Sequence, residues 1–206
     1  QKRKKENERG RRKKEKNNVK ILALLPQIKS NLDQLAPSRE SIYARVNFAA
    51  SLMQLSSGNK NIKITTIAQL VATAVQQART LQDLRAEAYA LGQLAYLYEQ
   101  SRQWKEAKDL SEQAIMIAQK INAPDIIALL QWQLGRILKQ QNKQQEAIAA
   151  YQKAVYSLQS LRQEIVALTP DLQFSFTESI EPVYRELVGL LLQDESSSQD
   201  KLTQAR

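Results

Sequence analysis

The sequence contains no cysteine and no histidine. Without cysteine it can form neither a disulfide nor a thiolate zinc site, which suits a reducing compartment. Without histidine it lacks the commonest general base and the commonest metal ligand. It also lacks a Gly-rich phosphate loop and any carboxylate cluster at metal-ligand spacing. We therefore expect a protein that is not an enzyme and that binds no metal and no cofactor.

Helix-breaking residues and long hydrophobic runs are also scarce. Only five glycines and five prolines occur among 206 residues, which favours long helices over many short strands. No apolar run reaches the roughly eighteen residues that a membrane-spanning helix needs, and no signal-peptide core follows the basic start. Because 43% of the residues are hydrophobic, the chain can still bury a core. We predict a soluble, cytoplasmic protein without membrane contact.

The positive charge is concentrated at the N-terminus. Residues 1–20 carry eleven of the thirty Lys and Arg but only three of the twenty-one Asp and Glu, which is +8 of the formal net charge of +9. Residues 1–18 contain no large apolar side chain, so we predict a flexible basic tail there. It is either a solvated tail or an arm for nucleic acid, and the lack of interleaved aromatic residues favours the former. The arm would act through Lys4, Lys5, Arg9, Arg11, Arg12, Lys13 and Lys14.

Residues 88–161 contain two copies of one pattern, forty positions apart. Small residues mark both copies, at Ala95, Ala107 and Ala114 and then at Gly135, Ala147 and Ala154. Antiparallel helices pack closely where small side chains let the backbones approach, so each copy is typical of a helical hairpin. A third, more diverged copy precedes them, with Ile67, Leu70, Val71, Ala74 and Val75 at the matching positions.

Punctuating residues set the expected helix boundaries. Ser38 is a candidate N-cap for a helix to about Leu55, and Thr65 or Thr66 for the next. Pro124 would end one helix and Asp125 would cap the following one. After Pro170 we expect an extended bridge at 173–176, then a last helix from about 177 to 192 that tolerates Pro182 only in its first turn. The predicted domains are the tail at 1–18, a repeat domain at 19–173, a C-terminal capping-helix region at 174–193, and a polar linker at 194–206.

The hairpins resemble tetratricopeptide repeats. In the last copy Leu134-Gly135, Leu138, Ala147, Tyr151 and Ala154 fall at the motif positions, although the period is forty rather than about 34. The runs Arg85–Gly92, Ile121–Asp125 and Glu181–Leu187 are similar to the repeat region that precedes the caspase-like CHAT domain in cyanobacterial proteins. The resemblance implies an all-α, right-handed superhelix of about three long repeats with capping helices. It also implies that any peptidase activity lies in a downstream domain that this chain does not contain.

In such repeats the first helix of each hairpin lines a concave groove that binds proteins. The resemblance places nine candidate residues there, and Leu129 at a further groove position: Tyr43, Val46, Met53, Tyr89, Tyr96, Glu99, Trp132, Arg136 and Lys139. Aromatic rings with a few charges suit a peptide-binding surface, although the rings could equally pack between hairpins. We therefore predict a scaffold that binds a protein partner, or its own downstream peptidase-like domain. The alternative is nucleic-acid binding through the basic arm.

Overall fold

The computed structural model describes residues 23–56, 62–165 and 170–193, with backbone alone for 162–165, 170–179 and 193. The predicted basic tail and polar linker lie outside these residues. The described residues form α1 (23–34), α2 (Arg39–Ser56), α3 (Ile64–Thr80), α4 (Leu84–Gln100), α5 (Trp104–Lys120), α6 (Pro124–Gln140), α7 (Gln144–Ile165) and α8 (Pro170–Gln193), and include no strand. The predicted all-α solenoid is confirmed.

Identical turns explain the forty-residue period. Helices α3 to α6 each have 17 residues, and three residues separate each from the next. The second residue of each turn has a positive φ, at Gln82, Arg102, Asn122 and Asn142. The following amide then donates to the carbonyl five residues earlier, as Gln103 does to Tyr98 at 2.9 Å. This left-handed C-terminal motif satisfies the last carbonyls of a helix. Two helices of 17 residues and two turns of three residues therefore make up each forty-residue hairpin repeat.

The small residues of the repeat lie where helices touch. Ala95, Ala107, Ala114, Ala147 and Ala154 are completely buried, as predicted. Gly135 is equally constrained, since an added Cβ would lie 2.6 Å from the ring of Tyr151. The predicted third copy is also confirmed, because its five matching apolar residues in α3 are buried. The spacing of small residues thus sets how closely successive helices approach.

The helices form two layers. Contacts run between consecutive helices from α2 to α8, and also from α2 to α4 and from α4 to α6, which places these three side by side in an inner layer. Helix α8 packs against α7 and buries Val183, Leu187, Leu190 and Leu191 in the core, as predicted for a capping helix. The inner layer supplies the surface on which a partner could lie.

The predicted caps are partly confirmed. The Ser38 hydroxyl accepts from the Ser41 amide at 3.2 Å and so caps α2. Neither Thr65 nor Thr66 caps α3, which begins at Ile64 after Lys63 with no side-chain cap. Pro124 does not end a helix but occupies the first turn of α6, where its missing N–H costs no hydrogen bond. Asp125 therefore lies within that first turn instead of capping it.

The C-terminal prediction was wrong in two respects. Residues 173–176 are helical, because α8 begins already at Pro170, so the predicted domain boundary between 173 and 174 falls inside a helix. Pro182 consequently lies in the interior of α8 and not in its first turn. Pro170 is compatible with a first helical position for the same reason as Pro124.

Candidate protein-binding groove

The predicted groove residues separate into core and surface positions. Val46 and Met53 are buried in the core, so they offer no surface to a partner. Helix α4 covers Met53, whose sulfur accepts a contact from the Gln93 amide at 3.6 Å. The four aromatic residues of the predicted groove are half-buried, and Lys139 is exposed. The accessible part of the predicted site therefore lies mainly on α4 and α6.

An aromatic pair joins α2 to α4 at one end of the inner layer. The rings of Tyr43 and Tyr89 are 4.9 Å apart with planes tilted by 53°. The Tyr89 hydroxyl donates to the Asn47 side-chain oxygen at 3.0 Å, and burial raises the pKa of Tyr89. Such tilted contacts stabilise packing between aromatic residues. These two residues thus pack between hairpins while keeping part of each ring open.

Arg136 is held by an internal partner. Its Nε and Nη2 donate to the two carboxylate oxygens of Glu99 at 2.8 and 3.0 Å, and its guanidinium lies 4.9 Å from the centre of the Trp132 ring. Burial alone would lower the pKa of Arg136, but the hydrogen bonds and charge of Glu99 raise it. Only 8% of the Glu99 side chain is exposed. Arg136 and Glu99 therefore hold α4 and α6 together, and each neutralises the charge of the other.

Glu186 of α8 accepts hydrogen bonds from two aromatic side chains of α6 and α7. Its Oε2 accepts from the Trp132 indole N–H at 3.0 Å and from the Tyr151 hydroxyl at 2.5 Å. Burial and then this hydrogen bond raise the pKa of Tyr151 well above the ordinary value. Sequence analysis placed Glu186 in the capping helix but did not single it out, because its partners Trp132 and Tyr151 lie 54 and 35 positions away in the sequence. A carboxylate in an apolar capping stripe was the available signal.

Two adjoining pockets form what we call the inner groove. The first has a volume of about 410 Å³ and a polar lining that includes Arg102, Trp104 and Lys139. The second, about 210 Å³, is lined chiefly by apolar side chains, among them Tyr96 and Leu129. Arg136 lines both, so the two pockets adjoin at this residue. Within the part of the chain that the structure describes, neither Arg102 nor Lys139 has an ion-pair partner.

Other kinds of site are not apparent in the described ranges. Residues 23–56, 62–165 and 170–193 contain no group of three or more acidic side chains that could hold a metal ion. No helix in those ranges combines the length and hydropathy required to span a membrane.

Comparison with known proteins agrees with the fold. Residues 85–158, from α4 into α7, match the family model of the tetratricopeptide repeat, a fold that is typically non-catalytic and generally mediates protein–protein interactions. The crystal structure of BtubC (BKLC) from P. vanneervenii is similar, with a TM-score of 0.59 and 17% identity over 91% of this chain and 76% of that chain. At this identity the likeness concerns the fold alone. No curated protein matches the sequence.

Proposed function

We propose that this chain is a protein–protein interaction scaffold that holds a segment of a partner protein in the inner groove. The observation that carries the proposal is the exposed Leu129, with 53% of its surface open, beside the ordered Trp132 ring. A large apolar side chain at the edge of a concave, aromatic-lined pocket is typical of a binding anchor. The tetratricopeptide repeat match supports a polypeptide as the ligand.

The resemblance to repeats that precede CHAT domains supports a more specific role. On this proposal the scaffold recruits a partner or substrate protein to a peptidase-associated assembly, or docks against a peptidase-like domain of its own protein. The chain itself contributes no catalytic residue in either case. The groove would supply selectivity, and the chemistry would belong to another domain.

A pair of matched substitutions tests the groove. Leu129→Asp places a charge in the apolar pocket, whereas Met116→Asp places one on α5, where Met116 is 63% exposed and lines no part of the inner groove. Quantitative affinity capture from lysate of the source organism should lose specific partners with Leu129→Asp and retain them with Met116→Asp. Equal recovery with both variants would contradict groove binding. Circular dichroism should show equal helicity for both proteins.

The second candidate function is nucleic-acid binding through the basic arm, favoured by the net charge of +8 on residues 1–20. If about eight phosphates are engaged, a plot of the logarithm of affinity against the logarithm of salt concentration should have a slope near −7. Deletion of residues 1–18 should then remove binding to a double-stranded DNA oligonucleotide. Binding that survives this deletion would eliminate the arm as the nucleic-acid site.

A further inference from the structure

The charges in the polar pocket of the inner groove are unequally satisfied. Its five ionisable side chains with charge at neutral pH are Glu99, Arg102, Arg136, Lys139 and Glu186. Glu99 and Arg136 neutralise each other, and the Glu186 carboxylate accepts from two neutral donors. The pocket keeps three cations against two carboxylates. The pocket therefore has a net charge of +1, and Arg102 and Lys139 are its two cations without an ion-pair partner among the described residues.

These two cations lie at the rim of the same pocket. Lys139 lies in the last turn of α6, and Arg102 lies in the turn that follows α4, in the left-handed conformation with φ 58°. Because α4 and α6 are neighbours in the inner layer, equivalent ends of the two helices bring both side chains to one pocket. A single carboxylate neutralises the pocket's surplus of one positive charge, whereas a doubly charged phosphate would overcompensate it and would be repelled more strongly by the two carboxylates already present. A side-chain or terminal carboxylate suits this rim better.

The apolar pocket sets a distance. Leu129 and Lys139 lie on the same helix, ten residues apart, which is about 15 Å at about 1.5 Å per residue. An extended peptide covers that length in four or five residues at about 3.3 Å each. An apolar side chain and an acidic side chain separated by that number of residues can therefore reach the two pockets together.

Building on the groove-binding function proposed above, we propose that the bound partner is an extended acidic segment. Its apolar side chain packs against Leu129 and Trp132, and a carboxylate four or five residues away binds Arg102 and Lys139. The ion pairs set the register and the apolar contact supplies most of the buried area. Arg136 takes no direct part, because Glu99 already neutralises its charge through hydrogen bonds from Nε and Nη2.

A random decapeptide library displayed on phage tests the assignment. Selection is made on the full chain and counter-selection on Leu129→Asp. Enriched sequences should carry Asp or Glu four or five residues from a large apolar residue. Enrichment of apolar residues without the acidic residue would overturn the acidic-segment assignment and leave groove binding intact. Failure to enrich any sequence that depends on Leu129 would overturn both.

Fluorescence polarisation with the best enriched decapeptide then tests the two cations. The double variant Arg102→Gln/Lys139→Gln should weaken binding about tenfold, as expected for two partly exposed ion pairs. The matched control Lys105→Gln/Lys120→Gln removes the same charge from α5 and should change the dissociation constant less than about twofold. Equal effects of the two double variants would overturn the assignment. So would equal displacement of the peptide by a ten-nucleotide single-stranded DNA.

Discussion

Arg136→Met should destabilise the fold by about 3 kcal/mol. The substitution leaves Glu99 unpaired with 8% of its side chain exposed, and breaking a buried ion pair costs roughly 3–5 kcal/mol. The Arg136 side chain is 28% exposed, so water reduces that cost to about 2 kcal/mol. The lost contact over the Trp132 ring adds about 1 kcal/mol. Arg136 therefore supports the groove even if no partner touches it.

A double-mutant cycle measured by urea unfolding separates the pair from its surroundings. Glu99→Leu alone should also destabilise the fold, because it leaves the Arg136 guanidinium without its carboxylate. The double variant Glu99→Leu/Arg136→Met should be more stable than the sum of the single effects by about 1–2 kcal/mol. Additive single effects, or an Arg136→Met cost below about 0.5 kcal/mol, would refute the reasoning. The denaturant slope should remain unchanged throughout.

Three further predictions concern packing, turns and charge. Gly135→Ala should lower the free energy of unfolding by about 1–3 kcal/mol, because the new methyl group would lie 2.6 Å from the Tyr151 ring. Gly189→Ala should stabilise by up to about 1 kcal/mol, since nothing lies within 4 Å of its Cβ position; reversed signs in urea unfolding would contradict this pair. Gln82→Gly should stabilise by up to about 1 kcal/mol in the same assay, because φ at Gln82 is 52°, and destabilisation would refute the strain argument. The hydrogen bond from Arg39 of α2 lowers the pKa of Asp83 below its ordinary value of 3.8. The Asp83 charge therefore contributes stability that is fully present above about pH 3.8 and is lost as pH falls through the folded pKa. Between about pH 6 and about pH 3, the wild type should therefore lose more unfolding free energy than Asp83→Asn, and equal losses would exclude this linkage.

The repeat architecture could be predicted because it is written in local spacing. The positions of Ala95, Ala107 and Ala114 specify where two helices can approach, and this requires no knowledge of distant contacts. The start of α2 followed from a single capping residue, Ser38. The start of α8 did not, because Pro170 is compatible both with a turn and with a first helical position. Local patterns therefore predicted the packing of the helices better than they predicted the role of Pro170.

The candidate site was less predictable, because charged side chains choose partners far away in sequence. Arg136 binds Glu99 across 37 positions, and Trp132 binds Glu186 across 54. No periodicity relates these pairs, so a free charge and a paired one look alike in the sequence. Val46 and Met53 were assigned to the groove from their positions in the tetratricopeptide motif, but both are buried in the core.

The twenty-residue rhythm of helix and turn has a consequence for how the chain can change in length. Because the turns after α3, α4, α5 and α6 share one backbone geometry, the chain leaves α6 through the same type of turn as it leaves α4. A duplicated hairpin could be spliced at any of these joints without a new type of connection. The stability of such stacks is approximately a sum over neighbouring repeats. Addition of whole hairpins would therefore lengthen the inner groove and leave the terminal helices unchanged.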